Sequence, residues 1–221
     1  MFMDKQLTWI TSIFQINNIK YWVDQGTLLG LIRDGKLIDH DKDIDFSIWD
    51  EDIDKLEKVI PDIKKEGYSI SVSQYKNYKF KYTCVHKSNK NLRKLDISVY
   101  RKVKGLFAWS PQRITAEKRS FLCKILIRII SFFWLKNTKR ILIDRFPLSI
   151  ISETFTWWIP AMHFEQIIFD ERNKVFIPKN YEEHLKLHFG NWKVPVKRWD
   201  FIHDDKALKH TKPEILIKAL R

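Results

Sequence analysis

Residues 24–52 read DQGTLLGLIRDGKLIDHDKDIDFSIWDED, and the end of that stretch decides the fold class. In DIDFSIW, residues 43–49, polar and apolar side chains alternate, which predicts a half-buried strand. Asp43 and Asp45 then share one sheet face, while Ile44, Phe46 and Ile48 turn into the core. Two carboxylates side by side repel, so the arrangement costs free energy unless a cation lies between them. The later acids, Asp50, Glu51, Asp52 and Asp54, need no such explanation. They open a helix through IDKLEKVIPDIKKEG, where the dipole and free N–H groups favour negative charge, with Pro61 bending the helix and Gly67 closing it.

Upstream, TLLGLIRD predicts a brief helix ended by Gly35 in the left-handed conformation. Gly26 and Thr27 stand at its start, where backbone N–H groups and a hydroxyl make a phosphate cradle. Arg33, two turns on, has the planar fork that suits a phosphate. Downstream, YSISVSQY, YKFKYTCVH and KLDISVYRKV read as strands. In the last of these Leu95, Ile97 and Val99 alternate with Asp96 and Ser98, so Asp96 projects from one face as the candidate third carboxylate. An all-oxygen set suits Mg²⁺ or Mn²⁺. A calcium loop opening at Asp41 fails, because Phe46 stands where the turn needs Gly and Asp52 stands where Glu is required.

The rest of the chain predicts a helix over 4–19, a short strand or turn in YWVDQG, and a long helix over about 116–146. TFTWWIP and HFEQIIFD follow as strands, and then KVFIPKNYEEHLKLHFGNW as a strand, a proline and a helix capped by Gly190. His163 shares a strand face with Glu165 in this reading and is placed to line the active site. His184 and His188 lie at i, i+4, but no Glu follows the first as a zinc protease needs, so they read as a solvated helix face. Together these elements predict an α+β fold: one domain over 1–221, a mixed twisted sheet flanked by helices, and a basic, largely helical insertion over 105–150.

The chain has 40 Lys+Arg against 27 Asp+Glu, a net +13, and residues 101–145 alone supply +10 of it. Apolar residues at 44% and aromatics at 14% exclude a disordered chain. Cys84 and Cys123 lie far apart in apolar surroundings and read as reduced thiols. No apolar leader opens the sequence, so the expected location is the cytoplasm. FLCKILIRIISFFWL, 121–135, has a narrow polar stripe at Lys124, Arg128 and Ser131. It is too short and too charged to span a bilayer comfortably. Two readings stand for it: a helix packed against protein, or one lying on an anionic membrane surface. No nucleic-acid-binding motif appears.

GTLLGLIRDGKLIDHDKDIDF closely resembles the signature of the LicD/fukutin family, GTLLGxxR, a glycine, and an acid cluster ending in DxD. FIPKNYEEHLKLHFGNWKVP resembles that family's closing pattern. The resemblance is specific over residues 20–50, fair around Asp96 and over 175–195, and absent from 105–150. It implies a nucleotidyltransferase-like fold and metal-dependent transfer of a phospho-alcohol (phosphocholine, glycerol phosphate or ribitol phosphate). The donor would be CDP-activated and the acceptor a hydroxyl of a glycan or lipid-linked glycan, with CMP released. By the same resemblance Asp43, Asp45 and Asp96 would hold Mg²⁺, and Gly26, Thr27 and Arg33 would contact the donor's phosphates. Gln25, His40 and Lys42 depart from the family pattern, which bears on donor choice. Two rivals remain at this level: a D-x-D glycosyltransferase using a nucleotide-sugar, and a non-catalytic nucleotide-binding relative.

Overall fold

The computed structural model describes residues 4–75, 77–115, 153–196 and 199–211. Asp4 caps α1 (Lys5–Ile16) by accepting from the N–H groups of Gln6 and Leu7. β1 (Tyr21–Val23) and α2 (Gln25–Arg33) follow, then β2 (Asp43–Trp49), a 3-10 turn (Asp50–Asp52) and α3 (Ile53–Lys65). β3 (Tyr68–Tyr75), β4 (Tyr78–His86), β5 (Lys94–Val103) and β6 (Phe107–Thr115) come next. After them stand β7 (Glu153–Pro160), a 3-10 turn (Ala161–Phe164), β8 (Ile167–Asp170) and β9 (Val175–Pro178). α4 (Tyr181–Phe189), the single turn α5 (Phe201–Asp204) and β10 (Leu208–Thr211) end the described chain.

The fold is α+β, as the alternating patterns predict. The main sheet runs β1-β2-β5-β6-β7-β10, with β4 also on β5 and β3 on β4, and β8 and β9 form a separate ribbon. β2 and β5 pair in parallel; β1, β4 and β6 join their neighbours antiparallel. This makes the sheet mixed. On one face Ile44, Phe46 and Ile48 of β2 meet Leu95, Ile97 and Val99 of β5, beneath Leu7, Ile10 and Phe14 of α1 and Leu56, Val59 and Ile63 of α3. All are buried, each worth about 1.5–3 kcal/mol relative to exposure. The opposite face takes the polar alternates, and it is there that Asp43, Asp45 and Asp96 emerge.

Two local expectations change. Residues 161–164 form a 3-10 turn, so His163 sits on no strand: Pro160 ends β7 and the chain turns before β8 begins. Residues 107–115 form a sheet strand in place of the start of a helical insertion. Phe107 and Trp109 side with Trp158 of β7, an aromatic packing that a strand presents on alternate residues. The helix expected over 116–146, the 121–135 segment and Cys123 lie outside the described residues. Cys84 is buried and free, and burial pushes its thiol up to about 12.

Chain contacts divide the protein into two compact units, one of residues 1–110 with 157–209, the other of 111–156 with 210–221. The described part of the second consists of the ends of β6, β7 and β10. Among the described residues no helix is long and apolar enough to cross a membrane.

Candidate active site

Asp24 follows β1 and caps α2 through the N–H of Gln25. Gln25 follows at φ 48°, a left-handed value that brings Gly26 sharply against the next strand. Only glycine there leaves the Asp41 carboxylate where it stands: a Cβ on residue 26 would lie 2.3 Å from Asp41 Oδ2 and 3.7 Å from Asp45 Oδ2. Thr27 locks the turn to the strand, its hydroxyl accepting from the Asp45 N–H at 2.7 Å. The helix N-terminus thus faces carboxylates, an electrostatic pairing the dipole favours.

Asp41, Asp43 and Asp45 offer oxygens all within 4.8 Å of one another, each side chain partly buried. Asp45 stands directly opposite Asp96 across the parallel β2–β5 pair. The predicted trio of Asp43, Asp45 and Asp96 is therefore brought to one face, with Asp96 one strand beyond the closest cluster. Sequence reading missed Asp41 as a member, because it precedes the strand; the D-x-D-x-D spacing was its signal.

Repulsion within the cluster is visible in its acidities. Burial first, then the hydrogen bond and charge of Asp43, pushes Asp41 up to about 6. Burial and then Asp43, Asp96 and Asp41 raise Asp45 well above the ordinary carboxylate range, against the pull of Lys81. For Asp43 burial acts upward too, but hydrogen bonds from Asp41 and Lys94 prevail and its carboxyl is lowered. Lys94 Nζ lies 2.8 Å from Asp43 and 3.4 Å from Asp96, and Lys81 Nζ lies 3.0 Å from Asp96. Asp96 is only 5% exposed, and its Oδ1 has no hydrogen-bond partner. A close carboxylate set with one orphaned buried oxygen fits a hard divalent cation.

Arg33 sits at the other end of α2 from Gly26. Its guanidinium forms a two-bond fork with Asp34, both at 2.8 Å. His163 lies buried with its ring 5.8 Å from His184, beside that histidine and outside the carboxylate cluster. Burial, then the charges of His184 and His188, lower it to about 4, so it is neutral at pH 7.

The solvated reading of HLKLH is overturned. His184 and His188 are each 0% exposed. His184 Nε2 meets Asp24 Oδ1 at 2.7 Å, and His188 Nδ1 meets both Asp205 oxygens at 3.0 Å. Asp24 also accepts from the Ser47 hydroxyl, and Asp205 from the Trp157 indole and the Ala207 N–H, so both buried carboxylates are well satisfied. Burial lowers the His184 pKa despite its acidic partners, while the hydrogen bonds and charge around Asp24 outweigh burial and keep that carboxyl ionised. The sequence did carry a signal. His184, Leu185 and His188 share the inner helix face, while Glu182, Glu183 and Lys186 take the outer one.

Residues 18–127 match the family described as LicD/FKTN/FKRP, nucleotidyltransferase domain. An uncharacterized protein of Rickettsia prowazekii (strain Madrid E) is 36% identical over 94 residues, 42% of this chain and 31% of the relative. Another, of Rickettsia typhi (strain ATCC VR-144 / Wilmington), is 37% identical over 91 residues, 41% of this chain and 26% of the relative. The matched part of this chain thus spans less than a third of either relative's length. Among solved structures, the lincomycin-bound lincosamide antibiotic adenylyltransferase LnuA aligns over 85% of this chain and 87% of its own, with TM-score 0.47 and 15% identity. ANT(2")-Ia in complex with adenylyl-2"-tobramycin aligns over 64% of this chain and 87% of its own, with TM-score 0.34 and 14% identity.

Proposed function

The chain belongs to the LicD family, and on that premise we propose that it is a metal-dependent phosphotransferase. It moves a phospho-alcohol (phosphocholine, glycerol phosphate or ribitol phosphate) from a CDP-activated donor to a glycan hydroxyl, releasing CMP. The observation that carries this reading is the register of Asp45 against Asp96, with Asp41 and Asp43 beside them and the Gly26–Thr27 turn directly facing the cluster.

In this reading Asp43 and Asp45, joined by Asp41 and Asp96, hold Mg²⁺ or Mn²⁺. When bound, the cation neutralises donor phosphate charge and polarises the phosphorus under attack. The chain's own groups do the rest. The α2 N-terminus and the Thr27 hydroxyl, already accepting from Asp45 and free to donate its own proton, orient a phosphate. The acceptor oxygen forms a bond to the donor's distal phosphorus while the bond from that phosphorus to the CMP oxygen breaks. The hydroxyl proton passes to a carboxylate of the cluster. Catalysis of this kind rests mainly on positioning and electrostatics. A lipid-linked acceptor would bring the protein to the inner face of the membrane, in keeping with its basic charge.

A donor panel tests the reading. CDP-choline, CDP-glycerol, CDP-ribitol and several UDP-sugars are incubated with the protein and Mg²⁺, and CMP or UDP release is scored. CMP release with one CDP-alcohol is expected. Turnover of a UDP-sugar alone would overturn phosphotransfer in favour of glycosyl transfer.

A further inference from the structure

An anionic diphosphate approaching this site meets four carboxylates, Asp41, Asp43, Asp45 and Asp96, and needs cations from the protein as well as from solution. Arg33, the residue whose sequence position suggests that role, stands at the far end of α2 from Gly26 and is turned onto Asp34. Two other cations stand on the acidic face itself. Lys94 is the register partner of Asp43, and Lys81 lies on the neighbouring strand opposite Ser98. Both ammonium groups converge on Asp96 Oδ2, at 3.4 and 3.0 Å, although Asp96 Oδ1 has no partner. If the lysines served only to neutralise Asp96, one on each oxygen would do so better. Their crowding on one oxygen instead places two positive charges side by side at the edge of the carboxylates.

Exposure runs the same way. The Asp96 side chain is 6% exposed, whereas those of Lys81 and Lys94 are 24% and 41% exposed. The carboxylate is the buried anchor, and the two lysine side chains are the part of the cluster that reaches solvent. Each ammonium has three donors, so capacity remains for phosphate oxygens. Lysine binds phosphate as a point charge, without the planar match an arginine would need.

We propose that Lys81 and Lys94, anchored by Asp96, are the diphosphate-binding cations of this site, and that they act on the phosphates of a nucleoside diphosphate whatever its base. The inference rests on the phosphotransferase reading, and it assigns phosphate recognition to β4 and β5 where the sequence points to α2. Lys94 also competes with a divalent cation for Asp43, since it already neutralises that carboxylate at 2.8 Å.

The test measures binding to the full chain by calorimetry, with Mn²⁺ alone and with CDP, UDP and ADP in the presence of Mn²⁺. Lys81→Met and Lys94→Met should each weaken nucleoside diphosphate binding about tenfold or more, the loss of a charge-assisted contact. Lys81→Arg and Lys94→Arg, which keep the charge, should stay within about threefold of wild type, and thermal melts confirm that all four variants fold. Mn²⁺ alone should bind Lys94→Met more tightly than wild type; unchanged or weaker binding overturns the competition. Undiminished nucleotide binding in both Met variants overturns the proposal, as does loss in Arg33→Met while they bind normally. If UDP or ADP binds wild type and CDP does not, and the Met variants lose that binding, the lysine assignment stands and the cytidine donor falls. If none of the three binds wild type, both fall.

Discussion

Asp24 and His184 stand 160 residues apart in the chain and meet at 2.7 Å, both 1% exposed at the side chain. Asp24 caps the helix that faces the acidic cluster, and His184 comes from α4 near the other end of the described fold. The bond fixes the helix start from outside its own sequence neighbourhood.

Removing the histidine's N–H leaves a buried carboxylate short of a partner. His184→Phe, which keeps the ring's bulk, is therefore expected to cost about 3 kcal/mol or more. His184→Gln, which can still present a donor near the Nε2 position, should recover much of that loss. Urea denaturation of the two variants beside wild type measures the difference. Equal stability in His184→Phe and wild type would show that the bond adds nothing.

The carboxylate cluster carries the opposite expectation. Asp45 is held well above its ordinary range by burial and by Asp43, Asp96 and Asp41. Neutralising it relieves repulsion. Asp45→Asn should abolish CMP release while raising the melting temperature of the metal-free protein by about 2–4 °C, the shift that about 1 kcal/mol produces at this size. Asp43→Asn should also lose activity, but since hydrogen bonds from Asp41 and Lys94 outweigh burial and hold the Asp43 carboxyl below its ordinary range, that variant should lose stability where Asp45→Asn gains it. Full activity in either variant would remove that residue from the site.

Gly26→Ala separates folding from function at one atom. The added Cβ would fall 2.3 Å from Asp41 Oδ2, the free end of a side chain that can swing away. The variant is expected to fold with a stability loss of about 1 kcal/mol or less. Its Mn²⁺ affinity should drop several-fold, because Asp41 leaves the cluster. Calorimetric titration and thermal melts on one preparation give both quantities.

Two pH dependences of opposite sign should appear. An unfolded histidine takes up its proton near 6.5, whereas His163 in the fold does so only at about 4. The unfolded chain binds more protons between those values, so this contribution to stability is full above 6.5 and falls away as pH drops toward 4. His163→Phe should flatten that decline in urea titrations. Asp41, raised to about 6, behaves in reverse. Its protonated form favours the metal-free fold below its ordinary 3.8, a contribution lost as pH rises through about 6. Since ligands must shed protons, Mn²⁺ affinity should climb over the same rise.

The residues explain what sequence reading reached and where it stopped. β2, β3, β4 and β5 were legible because each alternates cleanly, and that alternation also put Asp43, Asp45 and Asp96 on the polar face. The 3-10 turn at His163 was not legible, since MHFEQIIF has strand-like composition and only its place after Pro160 breaks the pattern. The face pattern of α4 marked His184 and His188 as inward, but their partners Asp24, Trp157 and Asp205 come from other segments that no local window contains. Arg33 illustrates a third limit: spacing placed it near the site along the helix, but its partner was its own neighbour, Asp34.

The Asp24–His184 bond also bears on how the protein is made. Synthesis runs from the N-terminus, so the α2 turn and the acidic strand leave the ribosome long before α4 does, and Asp205, which holds His188, later still. Until then Asp24 lacks its imidazole donor, and the turn at Gly26 rests on local bonds alone: Ser47 and the Gln25 N–H to Asp24, and the Asp45 N–H to Thr27. The helix start that faces the acidic cluster is therefore completed last, when nearly all of the described chain has emerged. A nascent chain halted at residue 127, where the family match ends, would carry every proposed metal ligand and still lack the clasp on the helix start that faces them.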